Sequence, residues 1–463
     1  MATIALVLGI SFGGTRFWPQ ARGTGLAAWV AARLPGVVGA VLFCLAATYV
    51  QRRFELAEAA DTSQTDIGVA AGILVAALVG AVAMMWFGRT SLHGLYRDRL
   101  ASCFSVARAG ETVELVSPTA QKLSELEPPP LGQPRSFPRL LVCATASVVW
   151  DPDRPFRSRL FRAPWRHVHR FASFVYSHDR CGIPRVPGAS VATTDLEKLT
   201  TQKGLRGREP LVSLMTAVAS TGAAVSPAVG RRTSEVGRPV LALSNLRLGR
   251  WLPNPFSACV RADLEQPDAD RRLRRRRGIG GAYDEFVPEL FGLHQSDGFH
   301  VYVSDGGHYD NLGLLALLQA RCKEIWCIDA QADPTGEARQ LETVVALAAT
   351  ELGVDVAIDL SVFQASVPGV LGAAYAVGEV RYPEQPEAGR LVAIKLGLVA
   401  GIHAESLFDY AKLDRGFAHH GTFWPPWSVT WYGSDRFEKY REVGYASALA
   451  ASQAVRAASG TSG

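Results

Sequence analysis

Hydrophobic and polar positions follow different patterns in different parts of this chain, and each pattern predicts its own kind of element. The first ninety residues hold long apolar runs. Asp66 to Phe87 reads DIGVAAGILVAALVGAVAMMWF, with one charge at its start. That is long enough to cross ~30 Å of hydrocarbon. Gly25 to Val50 is apolar apart from Arg33 and is broken by Pro35, so it reaches spanning length only if Leu26–Leu34 is included. Two transmembrane helices are expected, at about 25–50 and 66–87, within a membrane region 25–88. Gly72, Ala76 and Gly80 fall four apart, a spacing that lets helices approach closely in lipid. Segment 1–24 is apolar without a basic start and makes a poor signal peptide.

Amphipathic spacing follows. In the segment 89–116, Leu92, Leu95, Leu100 and Phe104 share one stripe of a helix, with Arg97, Asp98 and Arg99 elsewhere. This predicts a juxtamembrane helix that either lies on the membrane or links to the next domain. Residues 117–139, with PPPLGQPRSFPR, predict a linker.

From 140 to 455 the pattern changes to short apolar runs between polar turns, as in an α/β domain. Leu140–Trp150, Phe171–Tyr176, the start of Val240–Pro255, Val354–Phe363 and Leu391–Leu398 read as strands. Glu337–Leu352 and Arg436–Ala446 read as helices. The tail 456–463 is expected to be disordered. At the centre, Val301 to Asp333 reads strand, tight turn, helix, strand. Val301, Tyr302 and Val303 are β-formers, and Gly306 and Gly307 permit a sharp turn. Leu312 to Leu318 repeat at helical spacing, and Ile325–Ile328 suits a buried parallel strand. The carboxyl ends of strands in open α/β sheets are where sites are built, and Asp305 stands at such an end. Asp310 and Asn311 suit helix capping as well as a site.

Composition narrows the chemistry. The chain has 463 residues, a net charge of +5 and a mean hydropathy of +0.09. Mild basicity fits contact with an anionic bilayer. The seven cysteines are scattered, and Cys322 and Cys327 lack a matching ligand pair, so no zinc site is expected. His419 and His420 have no third ligand at helix spacing, so the metal expectation is none, as is the cofactor expectation. The run DRRLRRRR from Asp270 to Arg277 reads as a solvated loop, with phosphate head-group binding as the sharper alternative. No nucleic-acid motif accompanies the arginines, so no nucleic-acid partner is expected. Membrane lipids and a lipid ester are the expected partners, and no oligomeric state follows from the sequence.

The segment Ser304–Gly313, SDGGHYDNLG, resembles the Asp-Gly-Gly segment of bacterial patatin-like acyl hydrolases, in their membrane-associated, cytosolic-phospholipase-like branch. Further segments resemble the same branch. They are SLHGLYRDRL at Ser91–Leu100, STGAAVSP at Ser220–Pro227 (with Thr221 as an insertion), NLRLGRWLPNP at Asn245–Pro255 and RFEKYREVG at Arg436–Gly444. The likeness covers roughly residues 89 to 450. It implies a three-layer α/β domain around a mixed sheet, behind the two N-terminal transmembrane helices. It also implies a serine nucleophile on a Gly-x-Ser-x-Gly turn, with Asp305 as its side-chain partner and Gly306, Gly307 and Asn311 shaping the turn. The reaction implied is hydrolysis of phospholipid or related lipid esters.

The one Gly-x-Ser-x-Gly in the chain is Gly9-Ile10-Ser11-Phe12-Gly13, which makes Ser11 the candidate nucleophile. Only eight residues precede the match, and Trp18-Pro19 interrupts the helix that should follow. Two readings stay open. The domain is incomplete at its N-terminus, or the chain is a descendant that kept the aspartate half, a catalytically inactive membrane protein that binds lipid or a protein partner. The two spans imply a multi-pass membrane location, and the arginines outside them favour a cytoplasmic C-terminal domain.

Overall fold

A computed structural model describes residues 72, 93–109, 112–115, 121–126, 138–150, 169–199, 210–224, 226, 247–277, 285, 289, 298–365, 367–414, 416–419 and 434–460. The chain divides into two units, 1–309 and 310–463.

The first unit opens with helix α1 (His93–Phe104) and a hairpin of β1 (Val106–Ala109) and β2 (Thr112–Leu115). Its main sheet has six strands: β3 (Val142–Trp150), β4 (His169–Tyr176), β5 (Arg180–Gly182), β6 (Ser190–Ala192), β7 (Arg250–Pro253) and β8 (His300–Ser304). They lie in the order β6-β5-β4-β3-β8-β7, and every pairing is antiparallel. Strand β3 sits between β4 and β8 and is buried on both faces. Ala144, Ala146 and Val148 point one way, Thr145 and Ser147 the other. Helices α2 (Thr193–Glu197), α3 (Leu214–Thr221), α4 (Ala258–Leu264) and α5 (Ala269–Arg277) complete the unit. Phe174, Tyr176, Leu196, Leu252 and Val303 form its core with Leu123. Leu123 thus joins the domain from a segment expected to be linker.

The second unit holds a four-stranded sheet in the order β10 (Asp355–Ala357), β11 (Tyr375–Arg381), β12 (Gly389–Lys395), β9 (Glu324–Asp329). Only the β12–β9 pairing is parallel. Helices α6 (Leu314–Gln319), α7 (Arg339–Leu347), α8 (Glu405–Leu413) and α9 (Ser434–Gly460) belong to the same unit. Ala451 and Val455 of α9 cover Val392 and Ile394 of β12.

The expected fold, one three-layer α/β domain around a mixed sheet, is overturned. The elements of 301–333 are as predicted, but β8 belongs to a wholly antiparallel sheet and β9 to another. Strand β9 also alternates between exposed and buried positions instead of being buried on both faces. No helix among the described residues is long and apolar enough to cross a membrane. Helix α9 has the length, 27 residues, but Asp435, Arg436, Glu438, Lys439, Arg441 and Glu442 load its first turns with charge. The stretches 25–50 and 66–87 lie outside the described residues, Gly72 excepted.

Three local expectations are also corrected. Helix α1 buries His93, Arg97 and Ala101, which follow one another at i, i+4 and i+8, so Arg97 faces inward. The arginine run is helix α5, where arginine is a good helix former and Asp268 accepts from Arg272 Nε at 2.6 Å. Helix α9 continues through Gly460, into the tail expected to be disordered.

Candidate active site

Strand β8 ends at Ser304, and the chain turns through one 3₁₀ turn, Gly306–His308. Asp305 caps that turn: its Oδ1 accepts from Gly307 N at 2.7 Å. The backbone closes it, with His308 N donating to Asp305 O and Tyr309 N to Gly306 O.

Gly306 is a glycine because of close approach. A Cβ there would stand 2.7 Å from Cys143 O and 3.1 Å from Thr221 Oγ1. Its carbonyl accepts from Thr145 Oγ1 at 3.2 Å. The Thr221 hydroxyl donates to Cys143 O. Strand β3 and the C-terminal end of α3 therefore grip the turn that carries Asp305. Helix α3 is itself fixed at its start, where Ser213 accepts from Thr216 N at 3.2 Å.

Helix α1 packs on α3. Its Tyr96 reaches across Gly222, where a Cβ would meet Tyr96 Oη at 2.5 Å. Nδ1 of His93 hydrogen-bonds the Leu248 carbonyl at 2.8 Å. Beneath the turn, His308 Nδ1 hydrogen-bonds Ser304 Oγ at 3.0 Å, and its ring also bonds the backbone of Ala224.

Burial raises the Asp305 carboxyl above its ordinary range, opposed by the Gly307 N–H and by His308. Burial lowers His308, opposed by the charge of Asp305 and by the Ala224 backbone. The Tyr96 phenol is raised, first by burial and then by the charge of Asp305. A desolvated carboxylate is a stronger base than one in water and suits proton abstraction from a hydroxyl.

Of the sequence-predicted residues, Asp305, Gly306 and Gly307 form this turn. Asn311 is exposed, and it is Asp310 whose two oxygens accept from Leu312 N and Leu315 N at 3.0 and 2.8 Å, ahead of the N-cap residue Gly313. Ser11 lies outside the described residues. Ser220 donates to Thr216 O at 2.8 Å, and Ser226 is buried against Tyr302. Thr145 and Thr221 stand against Gly306, and Tyr96 against Gly222 at the end of α3. None of the three was singled out from the sequence, although Tyr96 lies in SLHGLYRDRL and Thr221 stood out as an insertion.

A second polar cluster belongs to the NLRLGRWLPNP segment. Glu289 is fully buried and accepts from Arg247 Nη1 at 2.7 Å and Trp251 Nε1 at 2.6 Å. Burial pushes its carboxyl up to about 7 despite the guanidinium. Asn254 accepts from Phe256 N and donates to Gly298 O. In the second unit, buried Lys395 lies 2.9 Å from Asp329 and 3.3 Å from Asp333. His419 Nδ1 accepts from Asp333 N at 3.3 Å, and His420 lies outside the described residues.

No family model matches the chain, and no curated protein or solved structure does so either.

Proposed function

We propose that this chain is a patatin-like lipid acyl hydrolase working at a membrane surface, in which Asp305 is the base for a serine nucleophile. The observation that carries the reading is the setting of Asp305. It is a partly buried carboxylate at the end of a strand, fixed by a glycine N–H and raised by desolvation. In the proposed reaction Asp305 takes the serine proton as Oγ attacks the ester carbonyl. The bond to the leaving alcohol breaks, and the alcohol oxygen takes the proton back from Asp305. Water then attacks the acyl-enzyme with Asp305 again as base. Ser11 is the candidate nucleophile, and membrane phospholipid or a related lipid ester the substrate.

The experiment is esterase turnover of the detergent-purified chain with a serine-directed fluorophosphonate, beside Asp305→Ala and Ser11→Ala. Loss of turnover in both variants, with loss of labelling in Ser11→Ala, supports a Ser11–Asp305 pair. Loss in Asp305→Ala alone assigns another serine.

One observation favours a second reading. Among the described residues no serine hydroxyl hydrogen-bonds Asp305, whose carboxylate partner is Gly307 N. A non-catalytic protein of the same fold that binds lipid or a protein partner would show neither labelling nor turnover when folded.

A further inference from the structure

We propose that Tyr96 is a catalytic residue of the Asp305 site, donating a hydrogen bond to the alcohol oxygen that leaves the ester. The inference rests on the hydrolase reading above. Packing, close approach and charge link Tyr96 to the turn. Its helix packs on α3. Its hydroxyl oxygen lies over Gly222, close enough that a methyl group there would collide with it. The neighbouring Thr221 hydroxyl stands where a Cβ on Gly306 would meet it at 3.1 Å, and Gly306 directly follows Asp305. The Asp305 charge is felt at the phenol. The phenol is half-buried, and its oxygen makes no hydrogen bond among the described residues. A phenol donor thus lies over the end of α3 that meets the Asp305 turn, and it has no hydrogen-bond partner among the described residues.

The chemistry gives this donor a place. When the tetrahedral intermediate collapses, the carbon–oxygen bond to the alcohol breaks and negative charge develops on the departing oxygen. The Asp305 carboxylic acid, carrying the serine proton, delivers it to that oxygen. Tyr96, over Gly222 at the end of α3 that meets this turn, is placed to donate to the same oxygen. Tyr96 keeps its own proton, so the overall balance is unchanged, and its donation stabilises charge that exists only as the bond breaks.

The test compares two esters of one acyl chain, an alkyl ester and a p-nitrophenyl ester, on the wild type and Tyr96→Phe. An alkoxide leaving group needs the donor; p-nitrophenolate, a stable anion, does not. The expected result is a loss of about 10- to 100-fold in kcat/KM on the alkyl ester and less than about threefold on the p-nitrophenyl ester. The ratio of the two rates, taken on one preparation, cancels any change in folded fraction. Labelling by the fluorophosphonate, whose leaving group is fluoride, should proceed at the wild-type rate. An unchanged ratio, with or without equal losses on both esters, overturns the role of Tyr96 while leaving the hydrolase standing. A folded wild type that neither turns over ester nor takes the label overturns the hydrolase reading, and this inference with it.

Discussion

Thr221 donates its hydroxyl hydrogen to the Cys143 carbonyl, the same carbonyl against which Gly306 is packed. One oxygen of β3 therefore positions both the end of α3 and the turn holding Asp305. Thr221→Val preserves the shape of the side chain and deletes the donor. The expected cost is about 1–2 kcal/mol, read as a lower urea midpoint, together with reduced ester turnover. Thr221→Ser should restore both.

Gly306→Ala asks for space that is already filled. The new methyl would meet backbone oxygen at 2.7 Å, and backbone cannot yield as a side-chain end does. A loss of about 1–3 kcal/mol is expected. Gly188→Ala is not its matched control, because Gly188 has φ +75° and would add backbone strain. Gly94→Ala is, since Gly94 has open space around it and no such φ.

Much of the candidate turn was legible in the sequence, and the sheets around it were not. Val301 to Ser304 are local β-formers, and Gly306-Gly307 can only be a turn, so the element order from 301 to 333 followed from neighbouring residues. Pairing is non-local. Thr145 lies opposite Ser304 across a wide sequence separation, and no short-range pattern shows that β8 joins an antiparallel sheet. The inward face of α1 was hidden for another reason: His93 and Arg97 look like surface residues until the Leu248 carbonyl and the packed helix are in place. Capping and a site role were both open for Asp310 and Asn311, and only the structure shows Asp310 accepting from Leu315 N in the first turn of α6.

Glu289 makes stability depend on pH with a definite sign. Its folded pKa, about 7, lies above the ordinary value of 4.5. The folded state holds the proton more tightly, so this contribution is fully present below about 4.5 and is lost as pH rises through about 7. Arg247 and Trp251 face the carboxyl and hold it down, and Glu285 pushes it up. Tyr302 feels its charge in turn. Glu289→Gln cannot ionise. The wild type should therefore lose stability relative to Glu289→Gln between pH 4.5 and 7.5 in thermal unfolding. Parallel curves for the two proteins would refute the assignment.

Lys395 offers a test confined to the second unit. Lys395→Met removes the cation between Asp329 and Asp333 and leaves Asp329 buried with its charge uncompensated. A loss of about 3–5 kcal/mol is expected in chemical unfolding. Lys323→Met, at an exposed pair with Glu387, should change stability by less than about 1 kcal/mol.

Tyr96 and Gly222 occupy one volume between them: the phenol oxygen fills the space a side chain at 222 would need. The two positions are therefore expected to covary through descent. Lineages that keep a tyrosine at 96 should keep glycine at 222, and a lineage that gains a side chain at 222 should have released the tyrosine. Read together in genomes, the two columns would sort working copies from those drifting after the activity has been abandoned.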